Sequence, residues 1–347
     1  WGQFKSDPPV TRIVADLSAK RQMRWVPAED GLGGSLILGE PDGKEPLIER
    51  RMPQIARIDA GTPDENTTVV RVELTDPAAF EYDVQLEPPR VVLKFPDAAP
   101  ATQMARVPVE SPFVQSLRLS GTPGTPGATL TLDMRQLVHF EVQEEAAGVA
   151  LIFRRGRLAD KRIVIDPGHG GRDPGAVGLR LKEKDVNLDV ARQVAAKLME
   201  IGAQTVLSRE SDVFVDLYDR PELANRISAD LFVSIHCNAM PKRNTGHGTE
   251  TYYYHARSKC LGAIVHANLI RALGRKDRGL RWANFCVTRE SEMPAVLVEL
   301  LFLNSDAEEA LLESPAVRTA AANAIVEGLR QYVEGTGTLA GESELGM

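Results

Sequence analysis

Apolar and polar residues alternate one by one along short runs in the first half of the chain. Thr68-Val-Val-Arg-Val-Glu-Leu74, Arg90-Val-Val-Leu-Lys-Phe95, Thr129-Leu-Thr-Leu-Asp-Met134 and Val149-Ala-Leu-Ile-Phe153 are examples. Successive side chains of an extended strand point to opposite faces, so this period of two predicts strands with one buried face. Pro88-Pro89 and Pro123-Gly124 stand between the runs, where turns are required. No extended helical period occurs before residue 155, and an all-β sandwich or barrel follows. The pattern also recurs. Residues 11–18, 69–75 and 129–134 share one spacing, and the last two are each followed by an aromatic-bearing run, 80–84 and 139–142. One β unit used more than once is expected.

From residue 162 the texture changes. Short apolar runs at 162–165, 205–207, 231–235, 249–253, 285–287 and 295–299 predict strands. Between them lie helical patterns. Asp185 is placed to cap a helix whose apolar positions Val186, Val190, Val194, Leu198 and Ile201 fall three or four apart, with Gly202 as its stop. Further helices are expected near 216–228, 258–273 and 315–334. Strands alternating with helices predict a central, mostly parallel sheet flanked by helices. The fold class is thus multidomain, an all-β N-terminal region followed by an α/β domain. The expected divisions are a partial or diverged β unit at 1–50, a β domain at 54–154, a linker at 155–161, an α/β domain at 162–334 and a Gly-, Ser- and Glu-rich disordered tail at 335–347.

Composition narrows the function classes. The 347 residues carry a net charge of −7, which argues against a nucleic-acid binder relying on phosphate neutralisation. No apolar run approaches the ~20 residues of a membrane span. Three cysteines, Cys237, Cys260 and Cys286, are too few for a disulfide scaffold and form no CxxC pair, so free thiols are expected. The sequence opens at Trp1 without an initiator Met, which is compatible with a removed signal peptide, and its compartment is not read from its start.

Four residues invite chemistry. His169 lies in Asp166-Pro-Gly-His-Gly-Gly171, just after a predicted strand, and His236 follows the run 231–235. Both stand at carboxyl ends of strands, where ligands of open α/β sheets gather. Glu183 precedes a helix start. Glu299 ends an apolar strand, a costly place for an unpaired carboxylate. Two His and one Glu can hold Zn²⁺ with an open position for water, and a further carboxylate can take that water's proton. Two loop histidines with two structural glutamates is the other reading, and spacing does not choose between them.

The strings themselves do more. Ile165-Asp-Pro-Gly-His-Gly-Gly171, Glu183-Lys-Asp-Val-Asn-Leu188, Ser234-Ile-His-Cys-Asn-Ala239 and Pro294-Ala-Val-Leu-Val-Glu299 resemble, in order, the zinc-dependent N-acetylmuramoyl-L-alanine amidases that cut bacterial peptidoglycan. The resemblance covers about 161–333. It implies one zinc per catalytic domain, held by His169, Glu183 and His236, with Glu299 as general base and acid. It further implies cleavage of the amide between N-acetylmuramic acid and L-alanine. Leu301 departs from the family, which usually has glycine two residues after that glutamate; altered packing near the site is expected, not loss of activity. Glu250 matches a glutamate common in the family and is a candidate to orient a ligand, with a solvated or structural role as the alternative. Asn238 is a candidate to hydrogen-bond substrate.

Other polar residues receive plainer expectations. Arg209, Asp212, Arg220 and Asn225 are expected to form a structural network, His255 and His266 to lie at the surface, and Cys237 to turn away from the metal. Val70-Arg-Val-Glu-Leu74, Pro88-Pro-Arg-Val-Val-Leu-Lys-Phe95 and Ser111-Pro-Phe-Val-Gln-Ser-Leu-Arg118 resemble the AMIN-type β domain that precedes many such amidases and binds the cell wall. Peptidoglycan is the implied partner, with no nucleic acid and no membrane span, and the implied location is periplasmic or extracellular. Some relatives used in cell division carry an inserted helix that blocks the metal until an activator removes it. Residues 238–283 leave no room for one, so an open cleft is expected; an activator protein is compatible with the sequence but not required by it. The competing readings are another zinc amidohydrolase or carboxypeptidase acting on wall peptides, and an inactive wall-binding protein.

Overall fold

The computed structural model describes residues 22–27, 34–39 and 52–336. Residues 1–51 form a unit of their own. In it β1 (Gln22–Pro27) and β2 (Gly34–Gly39) pair as an antiparallel hairpin. The run predicted at 11–18, most of the expected 1–50 unit and the tail beyond residue 336 lie outside the described residues.

The second unit begins with ten strands: β3 (Gln54–Asp64), β4 (Thr67–Leu74), β5 (Glu81–Gln85), β6 (Arg90–Phe95), β7 (Ala99–Pro100), β8 (Met104–Pro108), β9 (Val114–Ser120), β10 (Ala128–Met134), β11 (Phe140–Glu145) and β12 (Gly148–Arg154). They form two sheets, ordered β5-β6-β10-β9-β8 and β11-β12-β4-β3-β7. The sequence repeat has a direct structural meaning. Exchanging β3, β4, β5 and β6 for β9, β10, β11 and β12 turns the first four strands of one sheet order into those of the other, so each repeat contributes strands to both sheets. The period of two sets the core: Val70, Val72 and Leu74 are buried while Arg71 and Glu73 are exposed.

The α/β domain follows as β13 (Arg162–Pro167), α1 (Glu183–Ile201), β14 (Gln204–Leu207), α2 (Asp219–Arg226), β15 (Leu231–Asn238), β16 (Thr249–Tyr253), α3 (Lys259–Leu273), β17 (Asp277–Trp282), α4 (Cys286–Arg289), β18 (Ala295–Phe302), α5 (Asp306–Glu313) and α6 (Pro315–Glu334). The sheet order is β14-β13-β15-β18-β16-β17, and only the β16–β18 pairing is antiparallel. Two expectations are corrected and two elements are added. Residues 285–287 begin the one-turn helix α4; a short apolar run does not distinguish a strand from a buried helical turn. The helix α1 starts at Glu183, with Lys182 at its N-cap, because the Glu183 side chain is engaged in the loop before it. The edge strand β17 and the acidic helix α5 lack a clean apolar period and were not predicted.

Alternation along the central strands sorts two faces. Ile163, Ile165, Val233, Ile235, Val296 and Val298 join one large apolar cluster with α1, α3 and α6. Val164, Phe232, Ala295 and Leu297 form a smaller one with Ala224 of α2 and Val287 of α4. Further along that second face the same alternation brings up His236 and Glu299.

The large cluster runs without a break into the β sandwich. Polar contacts reinforce the seam: His139 Nδ1 lies 2.8 Å from the Tyr332 hydroxyl, the Gly156 N–H donates to Val333 O at 2.9 Å, and Lys259 pairs with Asp83 at 3.1 Å. A cavity on the seam is lined by Lys161, Leu231 and Pro294, at the amino ends of β13, β15 and β18. The sandwich therefore abuts the end of the sheet opposite to that of His169 and His236. Among the described residues no helix is long and apolar enough to cross a membrane.

Helices α3 and α6 touch through Gly328, where a Cβ would stand 2.8 Å from the Val265 Cα. Backbone cannot yield as a flexible side chain can. Gly328→Val is expected to cost about 1–3 kcal/mol by overpacking, read as a fall of about 3–10 °C in the thermal midpoint.

Candidate metal centre

His169 reaches the cleft through a backbone conformation that side chains seldom adopt, with φ of 62°. Gly168, just before it, makes room for the second imidazole: a Cβ there would lie 2.1 Å from His236 Cε1. Arg220 pins the same loop from below, donating to the carbonyls of Pro167 at 2.9 Å and His169 at 2.8 Å. Its charge is answered by Asp166 at 2.7 Å, and Asp166 also accepts from Ser208 at 2.5 Å and Ser234 at 2.6 Å. Arg209 donates to the carbonyls of Pro167, Gly168 and Lys184, tying the turn to the start of α1.

Three potential metal donors converge above this platform. Glu183 Oε1 lies 3.1 Å from His169 Nε2 and 2.9 Å from His236 Nδ1. Donors about 2.1 Å from one tetrahedral ion stand roughly 3.4 Å apart, so the spacing fits a zinc-sized cation. His169, Glu183 and His236 form the one such His/Glu group found among the described residues. Neighbouring groups orient them. Asp173 Oδ2 sits 2.8 Å from His169 Nδ1, which leaves Nε2 for the metal. Glu183 Oε2 accepts from the Ala176 N–H at 2.7 Å. Burial alone would raise the Glu183 carboxyl, but His169 and His236 outweigh it and hold it well below the usual range. The two imidazoles remain reachable, with side chains 25% and 18% exposed.

The sheet register lines up two more carboxylates. His236 on β15 pairs across to Glu299 on β18, and Glu299 pairs to Glu250 on β16. Glu299 Oε2 is sealed from solvent and has no hydrogen-bond partner. Burial, reinforced by Glu183 and Glu250, pushes its carboxyl well above the ordinary value. Glu250 has the opposite fate. Burial would raise it, but Tyr252 and Arg278 both donate to it and hold it low. Asn238 Nδ2 lies 3.3 Å from Glu250 Oε2.

Sequence comparison agrees with this geometry. A profile described as N-acetylmuramoyl-L-alanine amidase matches residues 163–331, and a profile of the AMIN domain matches 57–154. The germination-specific N-acetylmuramoyl-L-alanine amidase of Bacillus subtilis is 34% identical over 192 residues, which cover 50% of this chain and 81% of that protein. This chain belongs to the N-acetylmuramoyl-L-alanine amidase family. The amidase LytC of Bacillus subtilis is 43% identical over 179 residues, 50% of this chain but only 36% of that protein. The crystal structure of an N-acetylmuramoyl-L-alanine amidase from Clostridium difficile aligns with a TM-score of 0.50 and 39% identity, covering 52% of this chain and all of that one.

In this amidase the residues singled out in the sequence meet at one place: His169, Glu183 and His236 together, Glu299 beside them, Glu250 and Asn238 along the same row. Cys237 is buried on the opposite face of β15, and all three cysteines are free and buried. His266 is corrected from a surface position: it is 6% exposed, held between Thr251 and Asp277. Arg278, Tyr252 and Asp173 received no role from the sequence, although Tyr252 and Arg278 stand in strings that resemble the family, Gly248-Thr-Glu-Thr-Tyr252 and Arg278-Gly279. Asp173 carried a signal of another kind, four residues after His169 in the same loop.

The Asp166–Arg220 pair is almost wholly buried. Burial would raise the Asp166 carboxyl, but Arg220, Ser208 and Ser234 outweigh that and hold it low. A carboxyl depressed on folding contributes stability above its unfolded value of about 4 and loses it as pH falls through the folded value. Asp166→Asn is expected to cost about 3–5 kcal/mol at neutral pH and to flatten the acid limb of the stability curve. Thermal midpoints from about pH 3 to about pH 7 check both.

Proposed function

We propose that this chain is a zinc-dependent hydrolase of peptidoglycan that cuts the amide between N-acetylmuramic acid and the L-alanine of the stem peptide. The observation that carries the reading is the row in which a metal-competent His169–Glu183–His236 group adjoins Glu299, a carboxylate with one buried, unpartnered oxygen. A zinc ion held by those three residues would polarise the scissile carbonyl and acidify a water towards a pKa of ~7. Glu299 accepts the proton of the attacking water as its oxygen bonds to the carbonyl carbon. It then delivers that proton to the alanine nitrogen as the carbon–nitrogen bond breaks, since an amide anion is too poor a leaving group. Burial beside Glu183 and Glu250 raises the affinity of Glu299 for a proton, which suits the donating half of this transfer.

Glu250, held ionised by Arg278 and Tyr252, keeps a negative charge beside Glu299 and occupies the Asn238 amide nitrogen. The Asn238 carbonyl is then free to accept an N–H of the substrate. The β sandwich holds the wall polymer, and the work is done in the cell envelope. Between His236 and Glu299 the described helical segments are α3, α4 and one short 3₁₀ turn, so nothing in that stretch resembles a blocking helix, and basal activity without an activator follows.

Protein purified without added metal is expected to hold close to one zinc per chain by elemental analysis, and His236→Ala to lose most of it. Only traces of metal in active wild-type protein would overturn the ligand assignment. Glu299→Gln is expected to keep zinc and fold while turnover on purified peptidoglycan falls about 10²–10⁴-fold. A near wild-type rate would make Glu299 structural.

A further inference from the structure

Directly after His169 the chain makes a tight turn at the rim of the metal centre. Gly170 and Asp173 exchange both backbone hydrogen bonds, at 2.9 and 3.1 Å, so Gly171 and Arg172 form its tip. The tip is held from two sides. The Gly171 N–H donates to Asp212 Oδ1 at 2.7 Å, and Lys184 Nζ donates to the Gly171 carbonyl at 2.9 Å and to Asp212 at 2.6 Å. Gly171 also lets the neighbouring loop close in, since a Cβ there would lie 2.6 Å from the Phe214 nitrogen. The two segments, locked together, bring the Arg172 guanidinium over the Phe214 ring, 4.0 Å from its centre.

This guanidinium is uncommitted. Other arginines around the cleft are engaged within the protein: Arg220 with Asp166, Arg278 with Glu250, Arg243 with Glu309, Arg180 with Glu313, and Arg209 with loop carbonyls. Among the described residues Arg172 has neither a carboxylate nor a carbonyl partner, and it is exposed. Its neighbour Asp173 is turned elsewhere, to His169 Nδ1 at 2.8 Å and to the Gly175 N–H at 3.1 Å. Stacking on a ring holds the flat face of a guanidinium and leaves its in-plane N–H fork open, the edge that pairs with a carboxylate through two bonds. Phe214 is itself 41% exposed, so the stacked pair stands open to a ligand.

We propose that Arg172, braced on Phe214, determines specificity by binding the α-carboxylate of D-glutamate, the second residue of the stem peptide. The inference rests on the proposed amidase function and adds the substrate feature that the cleft reads. D-Glutamate is joined in the stem through its γ-carboxyl. Its α-carboxylate is therefore free, and it is the first formal charge beyond the scissile nitrogen. That charge lies within about 6 Å of the nitrogen, while the three residues from His169 to Arg172 span at most ~11 Å, so the two reaches overlap. Asp173, Glu250 and Glu299 stand elsewhere around the centre, and a substrate anion is steered to where an open cation is. One such cation at the rim fixes which bond of the stem lies over the metal donors.

The test uses two soluble, uncross-linked glycan strands bearing L-alanyl-γ-D-glutamyl-L-lysyl-D-alanine stems, one with the glutamate α-carboxyl free and one with it amidated. The amide keeps the size and removes the charge. The wild-type chain is expected to show a kcat/KM about five- to tenfold higher on the free acid. Arg172→Gln is expected to bring that ratio near one, with the loss on the acid falling on KM and not on kcat. Phe214→Leu, which removes the stacking ring, is expected to lower the ratio about two- to fourfold. Equal wild-type rates on the two strands, or a wild-type ratio in Arg172→Gln, would overturn the proposal. So would an Arg172→Gln variant that loses zinc, or that loses kcat on the amidated strand, since the residue would then be structural. A wild type that cuts both strands alike loses only the role of Arg172, whereas one that cuts neither loses the amidase reading itself.

Discussion

A carboxylate removed from water must be met by cations or hydrogen-bond donors, and the carboxyl end of the amidase sheet is organised by that demand. Five carboxylates there are between 0% and 4% exposed: Asp166, Glu183, Glu250, Glu308 and Glu309. Each draws at least one partner from a segment distant in the chain. Glu309 takes the N–H groups of Arg180 and Leu181, Glu308 those of Gly248 and Phe302, and Glu183 those of Ala176 and Cys237. Asp166 takes Arg220, and Glu250 takes Arg278. Loops that carry functional groups tend to be the mobile parts of a fold; here buried anions tie them down. Glu299 stands beside these five with one oxygen that nothing answers, and that is the feature on which the proposed proton transfer rests.

What the sequence revealed follows from what local pattern can encode. The period of two in β4, β6, β10 and β12, and the three-to-four spacing of α1, announce themselves because burial on one face repeats along the chain. The convergence of His169, Glu183, His236 and Glu299 was legible only through whole motif strings, since the register of β15 against β18 is a long-range property. The roles of Arg278 and Tyr252 were hidden for the same reason: both are placed against Glu250 by β16 lying between β18 and β17. The misreading of 285–287 and the omission of α5 share another cause: where an element is one or two turns long, packing against the sheet decides its form and leaves little trace in local pattern.

The two ends of the sheet have separate duties. The carboxyl end gathers the candidate metal donors and Glu299, while the amino end is continuous with the core of the sandwich. A sandwich docked over the cleft would have to move for a polymer to enter. Docked at the far end, through Tyr332, Val333 and the start of α3, it can hold a polymer without guarding the cleft. The strand exchange within the sandwich fits this arrangement, because it leaves two equivalent edges, β5 and β11, on the side that meets the amidase domain.

Leu301 shows how a departure from a family pattern can be absorbed. Opposite the segment from His236 to Asn238, β18 has one residue more than β15, so the pairing slips from Glu299 to Phe302. An extra residue makes a bulge, which bends a strand and re-aims its side chains. Two consecutive residues, Leu300 and Leu301, thereby turn into the large apolar cluster beneath the sheet, and both are fully buried. The side chain that replaces the usual glycine thus grows into the core and not into the cleft. The bulge leaves Phe302 under the Arg278 guanidinium, 5.0 Å from the ring centre. Arg278, with Tyr252, holds the Glu250 carboxyl low beside Glu299, so the stack is one route from the packing at Leu301 to that row. The row of His236, Glu299 and Glu250 lies on the other face of the sheet, with its register intact.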